Sequence, residues 1–115
     1  MLACTPQYCA PEYLIHQIVS PSTDVYQMGL VLLESLFGWP IMSESSIALT
    51  VLAHCEGTLC IPRLALHSPL RELIHGSLSR TPETRFPNAS IMQQALSRID
   101  PHALSISMEL MLSQH

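Results

Sequence analysis

The segment STDVYQMGLVLLESLF, over residues 22–37, limits what this chain can fold into more than any other stretch. Ser22 is a candidate helix cap, Asp24 lies near the positive end of the helix dipole, and Gly38 follows as a stop signal. One apolar face consists of Val25, Met28, Leu32, Leu33, Leu36 and Phe37, and Tyr26, Leu30 and Val31 occupy much of the opposite side. A helix that is apolar on both sides is surrounded by protein, so we predict that this helix is the axis of the core.

Three shorter helices are predicted where a start signal precedes apolar residues at helical spacing. They run from Ser68 or Pro69 to about Ser79, from Asn88 to a limit at Pro101, and from Ser45 or Ser46 to Ala53. The last of these places Ile47, Val51 and His54 on one face.

The rest of the chain contains no further clear element. Residues 1–21, 54–67 and 80–87 hold most of the Pro, Gly and Cys and show no sustained period, which predicts ordered loops. The tail over residues 104–112 alternates like a strand, but its apolar residues also fit a helix. Because no other strand is predicted, we favour helix or disorder for the tail and expect an all-α fold.

Composition excludes several classes of function. The chain has 115 residues, of which 48% are hydrophobic and 12% charged, as expected of one globular domain. Its net charge is −4 and its five basic residues are all scattered Arg, so we expect no binding to nucleic acid. No apolar run approaches the length of a membrane span and no signal peptide is visible, so we expect no membrane partner and a cytoplasmic location.

Three motifs follow one another along the chain: TPQYCAPE over residues 5–12, STDVYQMGLVLLE over residues 22–34 and TPETRFPNA over residues 81–89. In this order and spacing they resemble the C-terminal lobe of eukaryotic-type protein kinases. The first is similar to the end of the activation segment, the second to the buried helix with a D-V-[YW]-x-x-G pattern, and the third to the segment that joins the last two helices. The resemblance implies a partial kinase domain over residues 1–100, followed by a tail over residues 101–115.

The resemblance also implies structural roles for four residues. Glu12 matches a glutamate that forms a bidentate ion pair with the arginine matched by Arg85, which attaches a loop to the helical core. Asp24 matches an aspartate that holds backbone amides of the catalytic loop. Gly29 matches a position where a second backbone approaches the buried helix closely.

Two residues are expected to bind substrate. Thr5 matches the threonine that, in Ser/Thr-directed kinases, faces the catalytic aspartate, and Tyr8 follows in the same loop. This pattern favours the Ser/Thr class over the tyrosine-directed class. The chain departs from the family at Cys4, where a glycine is usual.

The parts with which such kinases bind ATP precede the first matched motif in the family: the glycine loop, the strand lysine, and the H-R-D and D-F-G segments. This sequence has no Lys, and its two Asp stand in neither context. We therefore expect a C-lobe without the N-lobe and catalytic loop, with no catalytic residue and no cofactor of its own. ATP and Mg²⁺ are expected only for a complete kinase.

Two functions follow from this expectation. The first is a partial Ser/Thr kinase domain, inactive alone, whose family reaction is ATP-dependent phosphoryl transfer to protein Ser or Thr. The alternative is a non-catalytic kinase-like module for protein interaction, and a helical domain unrelated to kinases is third. The expected partner is a protein: the missing kinase half, a substrate or a regulator.

The cysteines, histidines and Ser68 that could suggest a metal or hydrolase site have simpler interpretations. Two C-x4-C pairs, Cys4 with Cys9 and Cys55 with Cys60, could hold Zn²⁺, but free thiols in a reducing compartment explain them better. The histidines form no i, i+4 pair, so we expect solvated or capping roles and no metal site. The adjacent His67 and Ser68 do not form a catalytic triad, since neighbours in sequence do not thereby face each other.

Overall fold

The computed structural model describes residues 5–42, 44, 46–57 and 59–113. Every regular element in these ranges is helical, which confirms the prediction of an all-α fold. The α-helices are α1 (Pro11–His16), α2 (Pro21–Phe37), α3 (Ile47–Glu56), α4 (Arg71–Leu78), α5 (Ala89–Ser97) and α6 (Pro101–Ser113). Three 3-10 turns join them, at Pro6–Tyr8, Arg63–His67 and Pro82–Thr84.

Helix α2 runs through the core and packs against α4 and α5. Its residues Val25 and Leu33 are completely buried. Gly29 lies where α4 comes closest, since a Cβ atom there would be 2.4 Å from Ser77 Oγ. The nearest atoms to that Cβ belong to the side chain of Ser77 in α4, and the expected close approach of a second backbone stays a prediction.

The prediction that α2 is surrounded by protein is wrong for the side of the helix that carries Met28 and Val31. Met28 is 37% exposed and Val31 is 50% exposed, so this side of the helix is accessible to solvent. The start of α2 also differs from the prediction. Ser20 precedes the helix and its N–H donates to Thr23 Oγ1 at 3.1 Å, whereas Ser22 lies inside the first turn.

The three shorter helices form with shifted boundaries. Helix α3 is capped by Ser46, which accepts a hydrogen bond from the Leu49 N–H, and it continues beyond Ala53 to Glu56. The other candidate cap, Ser45, lies outside the described residues. Helix α4 begins only at Arg71, because the preceding Ser-Pro pair forms a turn. Helix α5 follows Asn88 as predicted, the Asn88 side chain accepts a hydrogen bond from the Ile91 N–H, and the helix ends at Ser97, before Pro101.

Four elements lie in segments predicted to be loops: α1 and the three 3-10 turns. Helix α1 falls within residues 1–21; it starts at a proline and ends before Gln17, whose φ is 56°. The 3-10 turn Arg63–His67 packs against α6. The tail forms helix α6, in which Met111 is buried. The sequence pattern of the tail was compatible with either a helix or a strand.

Candidate functional site

Glu12 in α1 and Arg85 in the loop before α5 form a buried ion pair. Arg85 Nη1 donates to Glu12 Oε2 at 2.7 Å, and Nη2 donates to Oε1 at 2.8 Å, so the contact is bidentate. The two residues are only 7% and 5% exposed. They are 73 positions apart in the sequence, so the pair fastens the N-terminal loop to the last third of the described chain.

Further hydrogen bonds satisfy both ions of this pair. Thr23 Oγ1 in α2 donates to Glu12 Oε2 at 2.7 Å. Arg85 also donates to the backbone carbonyls of Ser22 at 3.1 Å and Ser79 at 2.7 Å. These contacts matter because burying an ion costs several kcal/mol unless its remaining hydrogen-bonding groups find partners.

Two opposing influences act on the pKa of the Glu12 carboxyl. Burial raises the pKa, whereas the hydrogen bonds from Arg85 and Thr23 lower it. The net result is a pKa below the ordinary value for glutamate. The carboxylate is therefore ionised and able to pair with Arg85 at neutral pH.

A chain of contacts connects the ion pair with the Pro6–Tyr8 turn. The guanidinium carbon of Arg85 lies 4.8 Å from the centre of the Tyr26 ring, a cation–π contact. The Tyr26 hydroxyl is 2.8 Å from His54 Nδ1, and His54 Nε2 is 2.9 Å from the backbone carbonyl oxygen of Gln7. Three helices and the turn are thus linked through buried polar groups.

Tyr8 lines a cavity beside the C-terminal half of α2. Its hydroxyl donates to the carboxylate of Glu34, at 3.0 Å from Oε1 and 3.1 Å from Oε2. This hydrogen bond raises the pKa of the Tyr8 phenol above its ordinary value. The cavity has a volume of about 370 Å³ and is lined by Tyr8, Val31, Glu34, Ser35, Gly38, Trp39 and Pro40. Glu34 is the charged member of this lining, so the cavity is acidic.

The two predicted substrate-binding residues share one short turn. Thr5 is exposed, and its carbonyl accepts a hydrogen bond from the Tyr8 N–H at 2.9 Å. Gln7 Nε2 donates to the carbonyl of Met42 at 2.8 Å, which fastens the turn to the segment after α2. The turn thus presents Thr5 to solvent and Tyr8 to the cavity.

The cysteines differ from the expectation at one position. Cys9 is disulfide-bonded, so the prediction of a free thiol is wrong at this position. Cys55 and Cys60 are free, which confirms the prediction for these two residues. Cys4 lies outside the described residues. Within residues 5–42, 44, 46–57 and 59–113, no three His, Cys, Asp or Glu side chains are grouped to hold a metal ion.

Curated Ser/Thr protein kinases are similar to most of this chain. It is 31% identical over 100 residues to the kinase drp72 of Corynebacterium efficiens and 29% identical over 103 residues to PksC of Streptomyces coelicolor, each match covering 86% of the chain. The receptor-like cytosolic kinase RBK2 of Arabidopsis thaliana is 46% identical over 46 residues, or 40% of the chain. No family model matches the chain.

The extent of these matches and the all-helical fold decide the identification. This segment is homologous to the C-terminal lobe of Ser/Thr protein kinases. The resemblance inferred from the three motifs is thereby confirmed. The kinase segment spans only 19% and 18% of the length of the two bacterial relatives named above.

Asp24 of the kinase segment lies apart from the ion pair. It stands in the first turn of α2, and its carboxylate is exposed. Within the described part of the chain it forms no ion pair or side-chain hydrogen bond. Its expected contact with amides of a catalytic loop therefore stays a prediction.

Three important residues were missed by the sequence analysis. Glu34 was identified only as part of the α2 motif. The available signal was a carboxylate, which only accepts hydrogen bonds, directly after an apolar run. His54 was expected to be solvated or to cap a helix, but it is completely buried, whereas Ile47 on the same predicted face is 71% exposed. Gly76 leaves room for the ring of Phe86, since a Cβ atom there would be 2.2 Å from that ring. A histidine within an apolar helix was the only local signal for His54.

No helix in the described part of the kinase segment combines the length and the apolar character needed to cross a bilayer.

Proposed function

We propose that this segment forms the protein-binding face of a Ser/Thr protein kinase, and that ATP binding and phosphoryl transfer require kinase residues outside it. The reaction of the whole kinase would be phosphoryl transfer from ATP to a protein Ser or Thr. Homology to kinases over 86% of the chain supports the lineage. The absence of Lys from the sequence supports the division of labour, since the family positions ATP with a lysine.

The acidic cavity beside Tyr8 carries this proposal. Glu34 offers a carboxylate, and Trp39 and Tyr8 offer aromatic surface, in a space of about 370 Å³. A carboxylate flanked by aromatic rings favours a cation, because charge-assisted hydrogen bonding and cation–π attraction act together. We infer that the cavity accepts a basic side chain, arginine or lysine, of a substrate protein.

A pair of peptides tests this proposal on the full chain. One contains serine with neighbouring arginines, and the other replaces each arginine by neutral citrulline. Titration calorimetry should show weaker binding of the citrulline peptide, and Glu34→Gln should weaken binding of the arginine peptide about tenfold. Glu109→Gln is the control, because Glu109 is an exposed carboxylate in α6. Equal affinity of the wild-type chain for both peptides would overturn the proposal.

The absence of an ATP site is tested separately. We expect no measurable binding of Mg-ATP to this chain and no phosphorylation of a generic Ser/Thr substrate, since metal ions and lysine stabilise the transferred phosphoryl group. Calorimetry with Mg-ATP measures the first expectation directly. Micromolar affinity would reveal a nucleotide site formed by these residues.

A second candidate function is a non-catalytic protein-interaction module. Three apolar residues of α3 favour it, because Ile47, Leu49 and Leu52 are 71%, 46% and 50% exposed. Exposed apolar surface of this kind favours association with another protein. The gene sequence preceding Met1 separates the two functions: a glycine loop, a strand lysine, and H-R-D and D-F-G segments are expected for the kinase, and none for the module.

We further propose a protein partner and a cytoplasmic location. The partner would be a protein, either the other kinase half, a substrate or a regulator, and the location would be the cytoplasm. The plant relative is cytosolic by its name. Free thiols at Cys55 and Cys60 fit a reducing compartment, whereas the disulfide at Cys9 does not support one.

A further inference from the structure

His54 is the most deeply buried titratable side chain that the proposed binding site does not use. It is 0% exposed, although histidine is usually at least partly solvated. Its two ring nitrogens contact different parts of the molecule: Nδ1 faces the hydroxyl of Tyr26 in α2, and Nε2 faces the carbonyl of Gln7 in the Pro6–Tyr8 turn. His54 therefore joins the binding turn to two helices.

The contacts define the protonation state of the ring. The Gln7 carbonyl can only accept a hydrogen bond, so His54 Nε2 carries a proton and donates it. In the neutral ring Nδ1 is then an acceptor, and the Tyr26 hydroxyl donates to it across 2.8 Å. This arrangement satisfies all three groups only when the imidazole is neutral. A second proton on Nδ1 would leave the Tyr26 hydroxyl hydrogen without this acceptor.

The surroundings of His54 also favour the neutral ring. Burial lowers its pKa below the ordinary value, and the carbonyls of Gln7 and Pro6 oppose this shift. The Pro6–Tyr8 turn brings Tyr8 as its only titratable group, and its hydroxyl is bonded to Glu34. The other titratable groups on the packed elements are Asp24, Tyr26 and Glu34 of α2, Glu12, Tyr13 and His16 of α1, and Cys55 and Glu56 of α3. Arg85 lies over the Tyr26 ring. Arg85 and Glu12 neutralise each other.

We propose that His54 is a positioning residue, which holds the Pro6–Tyr8 turn through the Gln7 carbonyl and so places Tyr8 against Glu34 in the binding cavity. This inference rests on the proposed function of that cavity. It adds that the neutral imidazole with its proton on Nε2 is the form that holds the turn. Protonation of His54 in acid would therefore weaken the cavity.

Two amide variants separate the two contacts of the ring. In His54→Gln the side-chain Nε2 reaches about as far as the histidine Nε2, so it can still donate to the Gln7 carbonyl. In His54→Asn the side chain is one methylene shorter, so it can accept from Tyr26 but cannot reach Gln7. Both variants are neutral at all relevant pH values, and the pair differs mainly in the contact that the proposal requires.

Trp39 supplies a readout that does not depend on any ligand. It is the single Trp of the chain, it lines the cavity with Tyr8, and it stacks on Phe37 with ring centres 5.2 Å apart. Its fluorescence therefore reports the cavity even if the arginine peptide does not bind. If the wild-type chain does not bind the arginine peptide, the proposed function of the cavity is wrong. The Trp39 spectra test the positioning role of His54 independently of that result.

The experiment records Trp39 emission, arginine-peptide affinity and the ring ¹⁵N shifts of His54 between pH 8 and pH 5. We expect the Nε2–H tautomer at pH 8, and a wild-type emission change that follows protonation of His54 and is absent from both variants. His54→Asn should bind the peptide about fivefold more weakly at pH 8, and His54→Gln should stay within about twofold of wild type. Equal Trp39 spectra and affinities for the two variants at pH 8, unfolding of both variants, or an Nδ1–H tautomer would overturn the proposal.

Discussion

Two ion pairs of this chain have the same chemistry and very different surroundings. Arg85 and Glu12 are buried, and their bidentate contact is supported by Thr23 and by backbone carbonyls. Arg98, which directly follows α5, and Glu72 of α4 also form an ion pair, but their side chains are 57% and 59% exposed. The buried pair joins distant loops to the core, whereas the exposed pair joins two helices that already pack together.

The difference shows why an ion pair must be judged by what surrounds it. Exposed pairs contribute about 0–1 kcal/mol, because water and salt screen them and two long side chains must be ordered. Removing one partner of a buried pair typically costs about 3–5 kcal/mol, because the remaining charge stays buried without compensation. Of these two pairs only the first has that consequence, since Glu12 would keep its hydrogen bond from Thr23 but lose the buried cation that balances its charge.

The largest effect is expected from Arg85→Ala. It should lower the free energy of unfolding by about 3–5 kcal/mol, whereas Arg98→Ala should lower it by about 0–1 kcal/mol. Thermal unfolding followed by circular dichroism compares the two variants. Equal melting temperatures in folded samples would mean that the buried pair is no more important than the surface pair.

A smaller effect is expected when the charge is kept and the geometry is changed. Arg85→Lys retains a cation but cannot donate to both Glu12 oxygens and to the Ser79 and Ser22 carbonyls together, so a loss of about 1–3 kcal/mol is expected. Arg98→Lys should cost less than about 0.5 kcal/mol, because an exposed pair does not require a fork of donors. Chemical denaturation measures both values, and an unaffected Arg85→Lys variant would argue against the bidentate contact.

Acid should separate the pairs through the carboxyl of Glu12. Its pKa is lowered in the folded chain, so the unfolded chain binds protons more readily as the pH falls. The contribution of Glu12 to stability is therefore complete above its unfolded pKa of about 4.5, and it is lost as the pH falls through the lower folded value. Stability curves from pH 7 to pH 2 for wild type and Glu12→Gln check this expectation, and parallel curves would contradict it.

The smallest expected difference concerns salt. Raising the ionic strength from about 0.1 M to about 1 M shortens the screening length from about 10 Å to about 3 Å. Any cost of Arg98→Ala should then disappear, while the cost of Arg85→Ala should stay nearly constant. Denaturation with urea at both salt concentrations measures these costs. A strongly salt-dependent cost for Arg85→Ala would show that its charge is accessible to solvent ions.

The sequence predicted those parts of the fold that depend on neighbouring residues. Ser46 and Asn88 cap helices because their side chains accept from N–H groups three positions later, a contact visible in any local pattern. Helix α1 was missed because its six residues, Pro11–His16, are too few to show a helical period.

The site depends on contacts that no local pattern contains. Tyr8 meets Glu34 across 26 positions and His54 meets Gln7 across 47. Tyr, Glu, His and Gln also occur on exposed surfaces, so periodicity cannot distinguish a buried contact from a side chain in solvent. The pairing of Glu12 with Arg85 was expected only because the motifs resemble those of a known family, and nothing in the two local segments alone indicates it.

The central claim is that one buried ion pair fastens the N-terminal part of this kinase segment, through α1, to the loop before α5. A double-mutant cycle tests it most directly, using Glu12→Gln and Arg85→Gln, with Glu72→Gln and Arg98→Gln as the matched cycle on the surface. We predict a coupling energy of about 2 kcal/mol or more for the buried pair and less than about 0.5 kcal/mol for the exposed pair. Coupling energies of equal size in the two cycles would contradict the claim.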